Sequence, residues 1–223
     1  SQLFDNTSHI LATEVILELA EKIREKFDFE LKEINLGGGF GVVYTDEKKM
    51  PYSYFLDPSM EKIEQYYKGK KRPAVVIEPG RSLIGESGFQ LYKVGQIKDI
   101  KDVRKYVSVD GGMTDNIRPT LYDAKYSAMI ANKADKVKEE SVTICGKCCE
   151  SGDILIKDIS LPKIEKDDII AIFTTGAYGY AMANNYNKTR IPAVVMIKDN
   201  DVFEIIRRQS YDDIIKNEVK INL

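Results

Sequence analysis

Ile34-Asn35-Leu36-Gly37-Gly38-Gly39-Phe40-Gly41 carries a short apolar run straight into four glycines among five residues. Leu31, Ile34 and Leu36 read as a buried strand. Glycine is needed where the backbone takes positive φ or where a ligand must approach without a Cβ in the way. A glycine turn at the carboxyl end of a strand offers several N–H groups to an anion, most often a phosphate. The G-x-G-x-x-G spacing of a dinucleotide fingerprint is absent, and no helix bearing an acid follows in register. Taken alone, the run is either a tight loop or a phosphate cradle.

Working outward, Pro73-Ala74-Val75-Val76-Ile77 is a second apolar run, ending on Glu78-Pro79-Gly80-Arg81. Two successive strands that end in such loops suit the last strands of a β/α barrel, where a phosphate sits between the final two loops. Upstream, Asp5 or Asn6 can cap a helix reaching about residue 26. Ile16, Leu19, Ala20, Ile23 and Phe27 recur at helical spacing, and Glu18, Glu21 and Arg24 face out. His9, the single histidine, falls in the first turn of that helix. Residues 42–56 hold four aromatics and a proline, which predicts an ordered loop. Asp57-Pro58 then reads as N-cap and first residue of a helix to about Tyr67.

After Arg81 the pattern changes. Gly85-Glu86-Ser87-Gly88 precedes a segment, 89–93, compatible with a helical turn or a strand. Short runs rich in Val and Ile follow at 94–100, 105–109, 125–131, 141–145, 154–156, 168–173, 193–198 and 202–207. Asp199-Asn200-Asp201 between the last two signals a hairpin. Ser210 with Asp213 can cap a last short helix. The expected architecture is α/β followed by all-β: residues 1–88 from a β/α barrel, residues 89–223 a β-sandwich or Greek-key barrel.

Lys+Arg 33 against Asp+Glu 35 leaves a formal net charge of −2, which implies no nucleic-acid partner. Lys68-Gly69-Lys70-Lys71-Arg72 is a short solvated link before a strand. No apolar run approaches a membrane span and no signal peptide opens the chain, so a cytoplasmic location is expected. Three cysteines, two of them adjacent, do not make a disulfide framework. Cys145-x-x-Cys148 has a redox spacing but lacks the strand-to-helix setting of such pairs. A zinc site would want four ligands, and no second pair is present, so no metal is expected.

Other chemistry-bearing residues sit in loops. Glu78 precedes a proline, as an exposed turn acid would. Arg81 carries a planar fork suited to phosphate or carboxylate. Asp110-Gly111-Gly112-Met113-Thr114-Asp115-Asn116-Ile117-Arg118-Pro119-Thr120-Leu121-Tyr122 follows a strand and places Arg118 and Tyr122 four apart, on one face of a helical turn.

Gly37-Gly38-Gly39-Phe40-Gly41, Glu78-Pro79-Gly80-Arg81, Cys149-Glu150-Ser151-Gly152-Asp153 and Gly176-Ala177-Tyr178-Gly179 occur together and in this order. In this the chain resembles the pyridoxal-phosphate group IV decarboxylases, over essentially its whole length. The resemblance implies pyridoxal 5'-phosphate as cofactor, its phosphate held by Gly37, Gly38, Gly39, Gly80, Arg81 and Tyr178. It implies that Glu78 pairs with the pyridine nitrogen, which strengthens the cofactor as an electron sink. Arg81, Arg118, Tyr122 and Tyr178 are assigned to the substrate. Cys149 becomes the proton donor after decarboxylation, since a free thiol titrates near about 8.5 and is mostly protonated at neutral pH. Cys145 and Cys148 become packing residues.

Glu150 separates the relatives. The ornithine-type enzymes carry a shorter aspartate at the matching position, so glutamate implies the branch acting on meso-diaminopimelate, whose second ammonium needs a carboxylate partner. Decarboxylases of ornithine, arginine or carboxynorspermidine are the alternatives, as is a non-catalytic relative that binds a partner. A closed barrel takes about 250 residues, so this chain is expected to be the carboxyl-terminal part of a longer enzyme. The cofactor-anchoring lysine and the ring-stacking histidine would precede Ser1, and the fragment alone would be inactive. The family resemblance also implies a homodimer with shared active sites.

Overall fold

The computed structural model describes residues 1–221; positions 222 and 223, the end of the expected β-domain, lie outside the described residues. The chain divides into two compact units, Ser1–Ser87 and Gly88–Leu223. The first holds α1 (Thr7–Phe27), β1 (Glu33–Asn35), α2 (Tyr52–Tyr66), β2 (Ala74–Val76) and the short α3 (Arg81–Ile84). β1 and β2 pair in parallel, Ile34 opposite Val75, so the loops that follow them leave the same edge. Leu17, Ile34 and Ile63 form the core of this unit, with Ile16, Met60 and Val75 packed against them.

α1 begins where expected. Asp5 Oδ1 accepts the Thr7 N–H at 2.9 Å, and Asp28 closes the helix in the left-handed conformation with its N–H on the Arg24 carbonyl. Its buried face differs from the expected one: His9, Thr13, Leu17 and Ala20 face inward, while Leu19 and Phe27 are exposed. The reason is polar. The Thr13 hydroxyl donates to the His9 carbonyl at 2.8 Å and, its one proton spent there, accepts from the Ser59 hydroxyl at 3.0 Å, a small pair between α1 and α2 that an apolar count overlooks.

α2 also departs from expectation. It starts at Tyr52 rather than at Asp57-Pro58, and Pro58 lies inside it. A proline inside a helix withdraws the N–H that would bond the carbonyl four residues back, here Tyr54. Asn6 Nδ2 donates to that carbonyl at 3.0 Å, replacing the missing donor from another element. Phe55 in the same turn is buried against His9 and Phe40, with ring centroids 5.2 and 5.4 Å away. Aromatic burial and a borrowed donor together offset the proline.

The second unit holds β3 (Gln90–Ile100), β4 (Arg104–Val109), α4 (Arg118–Tyr122), β5 (Ala128–Ile130), β6 (Glu140–Cys145), β7 (Ile154–Leu161), β8 (Ile169–Ile172), β9 (Val194–Lys198), β10 (Asp201–Ile206) and α5 (Tyr211–Ile215). Segment 89–93 therefore enters a strand. Six strands form one sheet in the order β5-β8-β3-β4-β6-β7, a single nearly closed, barrel-like sheet rather than two facing ones. Every neighbour is antiparallel except β4 and β6, which run parallel. Val94, Val107, Ile144, Leu161, Ile170 and Ile172 fill its interior. β9 and β10 make a separate hairpin whose two turn residues, Asp199 and Asn200, both take positive φ, as a primed turn demands. Ser210 and Asp213 form the capping box of α5. Among the described residues, no helix is long and apolar enough to cross a membrane.

The Asn6–Pro58 relation can be tested by a double-mutant cycle on thermal or denaturant unfolding. Asn6→Ala should cost about 1 kcal/mol in the natural background, by leaving the Tyr54 carbonyl without a protein donor. In a Pro58→Ala background, where the helix supplies its own N–H, the same change should cost much less. Equal costs in both backgrounds would show that Asn6 does not serve this carbonyl.

Candidate active site

The first unit brings its two glycine-bearing loops into backbone contact. Glu78 N–H donates to the Gly37 carbonyl at 2.6 Å, and a Cβ on Gly38 would overlap the Glu78 carbonyl oxygen. Gly37 and Gly39 take φ of 71° and 93°. Asn35, last residue of β1, ties the loops by its side chain. Its Oδ1 accepts the Gly37 N–H at 2.8 Å and its Nδ2 donates to Glu78 Oε1 at 2.6 Å. From behind, His9 Nε2 donates to the Gly38 carbonyl at 3.0 Å while its ring stacks on Phe40, 5.1 Å away. Leu3 brackets the run, donating to Gly39 and accepting from Gly41. What is left over is informative: the N–H groups of Gly38 and Gly39 meet no acceptor among the described residues.

Glu78 is exposed, with its carboxylate held by Asn35. Arg81, half-buried at the start of α3, donates to the Tyr44 hydroxyl, and its guanidinium carbon lies 5.8 Å from the Tyr44 ring centroid. The structure thus places Gly37, Gly38, Gly39, Glu78 and Gly80 on two touching loops, with Arg81 the first residue of α3 directly after the second. Asn35 and His9 are the organising residues that sequence reasoning missed. An asparagine directly before a glycine run was the available signal for the first; nothing local marks the second.

The second unit gathers Arg118, Tyr122, Cys149 and Glu150. Arg118 is buried, donates from Nε to the Tyr126 hydroxyl at 3.0 Å, and lies 5.5 Å from the Tyr122 ring centroid; Tyr122 itself is exposed. The expected shared face is therefore formed on α4, with one member inside and the other at the surface. Thr120 on the same turn donates its hydroxyl to the Gly152 carbonyl at 2.7 Å, joining α4 to the cysteine turn. Cys149 and Glu150 are exposed at the tip of that turn. Cys145 donates from Sγ to the Val107 carbonyl at 3.5 Å. Burial, then the Asp153 carboxylate, pushes the thiols of Cys145 and Cys148 up from their ordinary range. Tyr178 takes a φ of 59° and is half-exposed. Its segment is tied back to the Asp110–Arg118 loop where Asn184 N–H donates to the Thr114 carbonyl at 2.8 Å.

Two buried carboxylates brace that loop. Asp115 accepts from the Thr114 hydroxyl at 2.8 Å, and burial raises its carboxyl despite the Tyr92 and Thr114 hydroxyls that favour its charge. Asp153 accepts N–H groups from Met113 and Cys148. Among the described residues no group of three or more His, Cys, Asp or Glu is placed to hold a metal.

The family of the pyridoxal-dependent decarboxylases, C-terminal sheet domain, matches residues 7–176. The diaminopimelate decarboxylase of Bacillus subtilis is 46% identical over 219 residues, which is 97% of this chain and 50% of the relative. The crystal structure of diaminopimelate decarboxylase from M. jannaschii in complex with L-lysine superimposes with a TM-score of 0.91 at 36% identity, covering 99% of this chain and 50% of that one. A lysine/ornithine decarboxylase from Vibrio vulnificus, complexed with putrescine, shares the fold with a TM-score of 0.71 at 24% identity, over 84% of this chain and 49% of that one. The chain spans about half the length of the curated relatives it matches. Family match and touching glycine loops agree: the chain belongs to the pyridoxal-dependent decarboxylases.

Proposed function

We propose that the complete protein decarboxylates meso-diaminopimelate to L-lysine and CO2 with pyridoxal 5'-phosphate, in the cytoplasm. The observation that carries this is the glycine cradle: two N–H groups that meet no acceptor among the described residues, on a loop where Gly38 admits no side chain, beside a carboxylate held by Asn35. That is a fit for a phosphate and a pyridine nitrogen held side by side. Similarity to diaminopimelate decarboxylases across nearly the whole chain, together with glutamate at 150, supports the substrate.

In this reading Ser1–Ser87 belongs to the end of a (β/α)8 barrel, for which the parallel β1–β2 pair and its flanking helices speak. Gly37, Gly38, Gly39, Gly80 and the Tyr178 hydroxyl would hold the phosphate, and Glu78 the ring nitrogen. When bound, the cofactor supplies the electron sink for the charge left at Cα as CO2 departs. The chain's own residues do the rest. Arg81, Arg118, Tyr122 and Tyr178 orient the substrate, Arg118 and Tyr122 by its carboxylate. Cys149 Sγ returns a proton to Cα. Glu150 holds the distal ammonium and so selects the substrate.

Kinetics of the complete protein with meso-diaminopimelate, ornithine, arginine and carboxynorspermidine test the assignment. Only the first should be turned over efficiently, and a preference for any other would reverse the reading of Glu150. Glu150→Gln should cost on the order of 2–5 kcal/mol in kcat/KM for diaminopimelate, with cofactor binding intact.

Gly38→Ala forces its Cβ against the Glu78 carbonyl, so the loops must part. Spectroscopic titration of the complete protein should show pyridoxal phosphate affinity falling by about tenfold or more, one lost charge-assisted hydrogen bond. Gly69→Ala, where nothing lies within 4 Å of the added carbon, should cost only about 1–2 kcal/mol of backbone strain and leave the cofactor alone.

We further propose a homodimer in which Cys149 and Glu150 of one subunit complete the site of the other. Barrel-side and sheet-side residues fall in separate units, which permits such sharing. Mixed dimers of two inactive variants, Arg81→Ala and Cys149→Ala, would then hold one site with both defects and one with neither. Co-refolding should recover activity that neither variant shows alone. A mixture that exchanges subunits and stays inactive would mean that each site is built within one chain.

A further inference from the structure

Asp153 is 3% exposed, yet the turn that carries it is a surface turn. Its carboxylate is surrounded by backbone. Oδ1 accepts the Met113 N–H at 2.7 Å and Oδ2 accepts the Cys148 N–H at 2.8 Å. The two donors belong to different segments, one on the loop that leads to Arg118 and the other directly before Cys149. Both segments make room for it: a Cβ on Gly112 or on Gly146 would overlap the Asp153 carboxylate. The main chain of Asp153 closes the same turn, its carbonyl accepting from Gly146 N–H at 2.9 Å and its N–H donating to the Glu150 carbonyl at 3.1 Å. Lys147 adds a tie between the same two segments, donating from Nζ to the Asp110 carbonyl at 2.7 Å.

We propose that Asp153 is a positioning residue: it sets Cys149 and Glu150 in a fixed place relative to the Arg118 loop, by bridging the two segments through paired main-chain donors. Its carboxylate is buried and occupied by main-chain donors, so its task is to position and not to react. A carboxylate suits the task because it offers two acceptor oxygens and no donor, so it can face two N–H groups at once. An amide of the same shape keeps one acceptor and turns an NH2 group toward the other N–H. The proton-returning thiol and the ammonium-binding carboxylate sit within four residues of this clamp, and a misplacement of about 1 Å is worth about 100-fold in rate. The proposal rests on the roles given above to Cys149 and Glu150. The structural clamp does not.

The test uses the complete holoenzyme and its Asp153→Asn variant. kcat for meso-diaminopimelate should fall about 100-fold, while cofactor absorbance and far-UV circular dichroism stay unchanged. The amide protons of Met113 and Cys148 should exchange with solvent about tenfold faster than in the natural protein, as loss of one hydrogen bond implies, and that of Val107 in the sheet should not change. Cys148 supplies a second readout, because burial and then the Asp153 carboxylate hold its thiol above the ordinary range. Its thiol faces the Asp153 carboxylate, so its alkylation by iodoacetamide should set in at lower pH in the variant. In the unmodified protein the Met113 and Cys148 amides should already exchange slowly for loop residues, a measurement that stands even if the variant fails to fold. Unchanged kcat in a folded variant, or fast exchange at both amides in the natural protein, overturns the proposal. If the complete protein decarboxylates none of the four amino acids, the functional reading fails, while the exchange and alkylation measurements still decide the clamp.

Discussion

Gly38 cannot carry a side chain, because the carbonyl of Glu78 occupies the place where its Cβ would be. The geometry of the first unit depends on that exclusion. It lets the loops after two parallel strands touch by their backbones, so that a carboxylate from one lies beside N–H groups of the other that meet no acceptor among the described residues. The parallel register of Ile34 with Val75 brings the loops to the same edge, and Asn35 then fixes how they meet. Buried apolar residues, Leu17, Ile34 and Ile63, form the packed platform that carries the strand before the glycine run.

The second unit solves a related problem with opposite chemistry. There the glycines make room for buried carboxylates instead of for a carbonyl. Asp115 and Asp153 would be costly inside a sheet domain if left unpaired. Each is met by main-chain or hydroxyl donors, and each braces the loop between β4 and α4. Loops of this length that carry functional residues need such bracing, because their apolar contacts alone do not specify a single conformation. Both units therefore place candidate site residues on segments whose backbones are tied by long-range hydrogen bonds.

Several elements were legible from residues alone. The alternation of short β-branched runs located the strands of the second unit, because strand periodicity and turn chemistry are local. Asp199-Asn200 announced its turn, since few residues other than glycine tolerate two successive positive φ values. Ser210 and Asp213 announced the capping box for the same local reason. Errors arose where a distant residue supplied the decisive group. Pro58 is a valid helix start by local rules, and only the Asn6 side chain, 48 positions upstream of Tyr54, allows the helix to begin sooner. The inner face of α1 was misjudged because Thr13 is buried by its bond to Ser59, which no periodicity count contains.

The candidate site divides along the same line. Residue identity and the family resemblance supplied the candidates: the glycine run, Glu78, Arg81, the Cys149-Glu150 pair and the Arg118-Tyr122 turn. They stand out by residue type and by the order in which their motifs occur, both of which are local properties of the chain. How those groups are held is visible only in three dimensions. Asn35 between two loops, His9 behind the cradle and Asp153 between two segments all act across gaps of 29 to 43 residues. A hydrogen bond made across such a gap leaves no periodic trace in the chain, since its partner is fixed by packing and not by spacing.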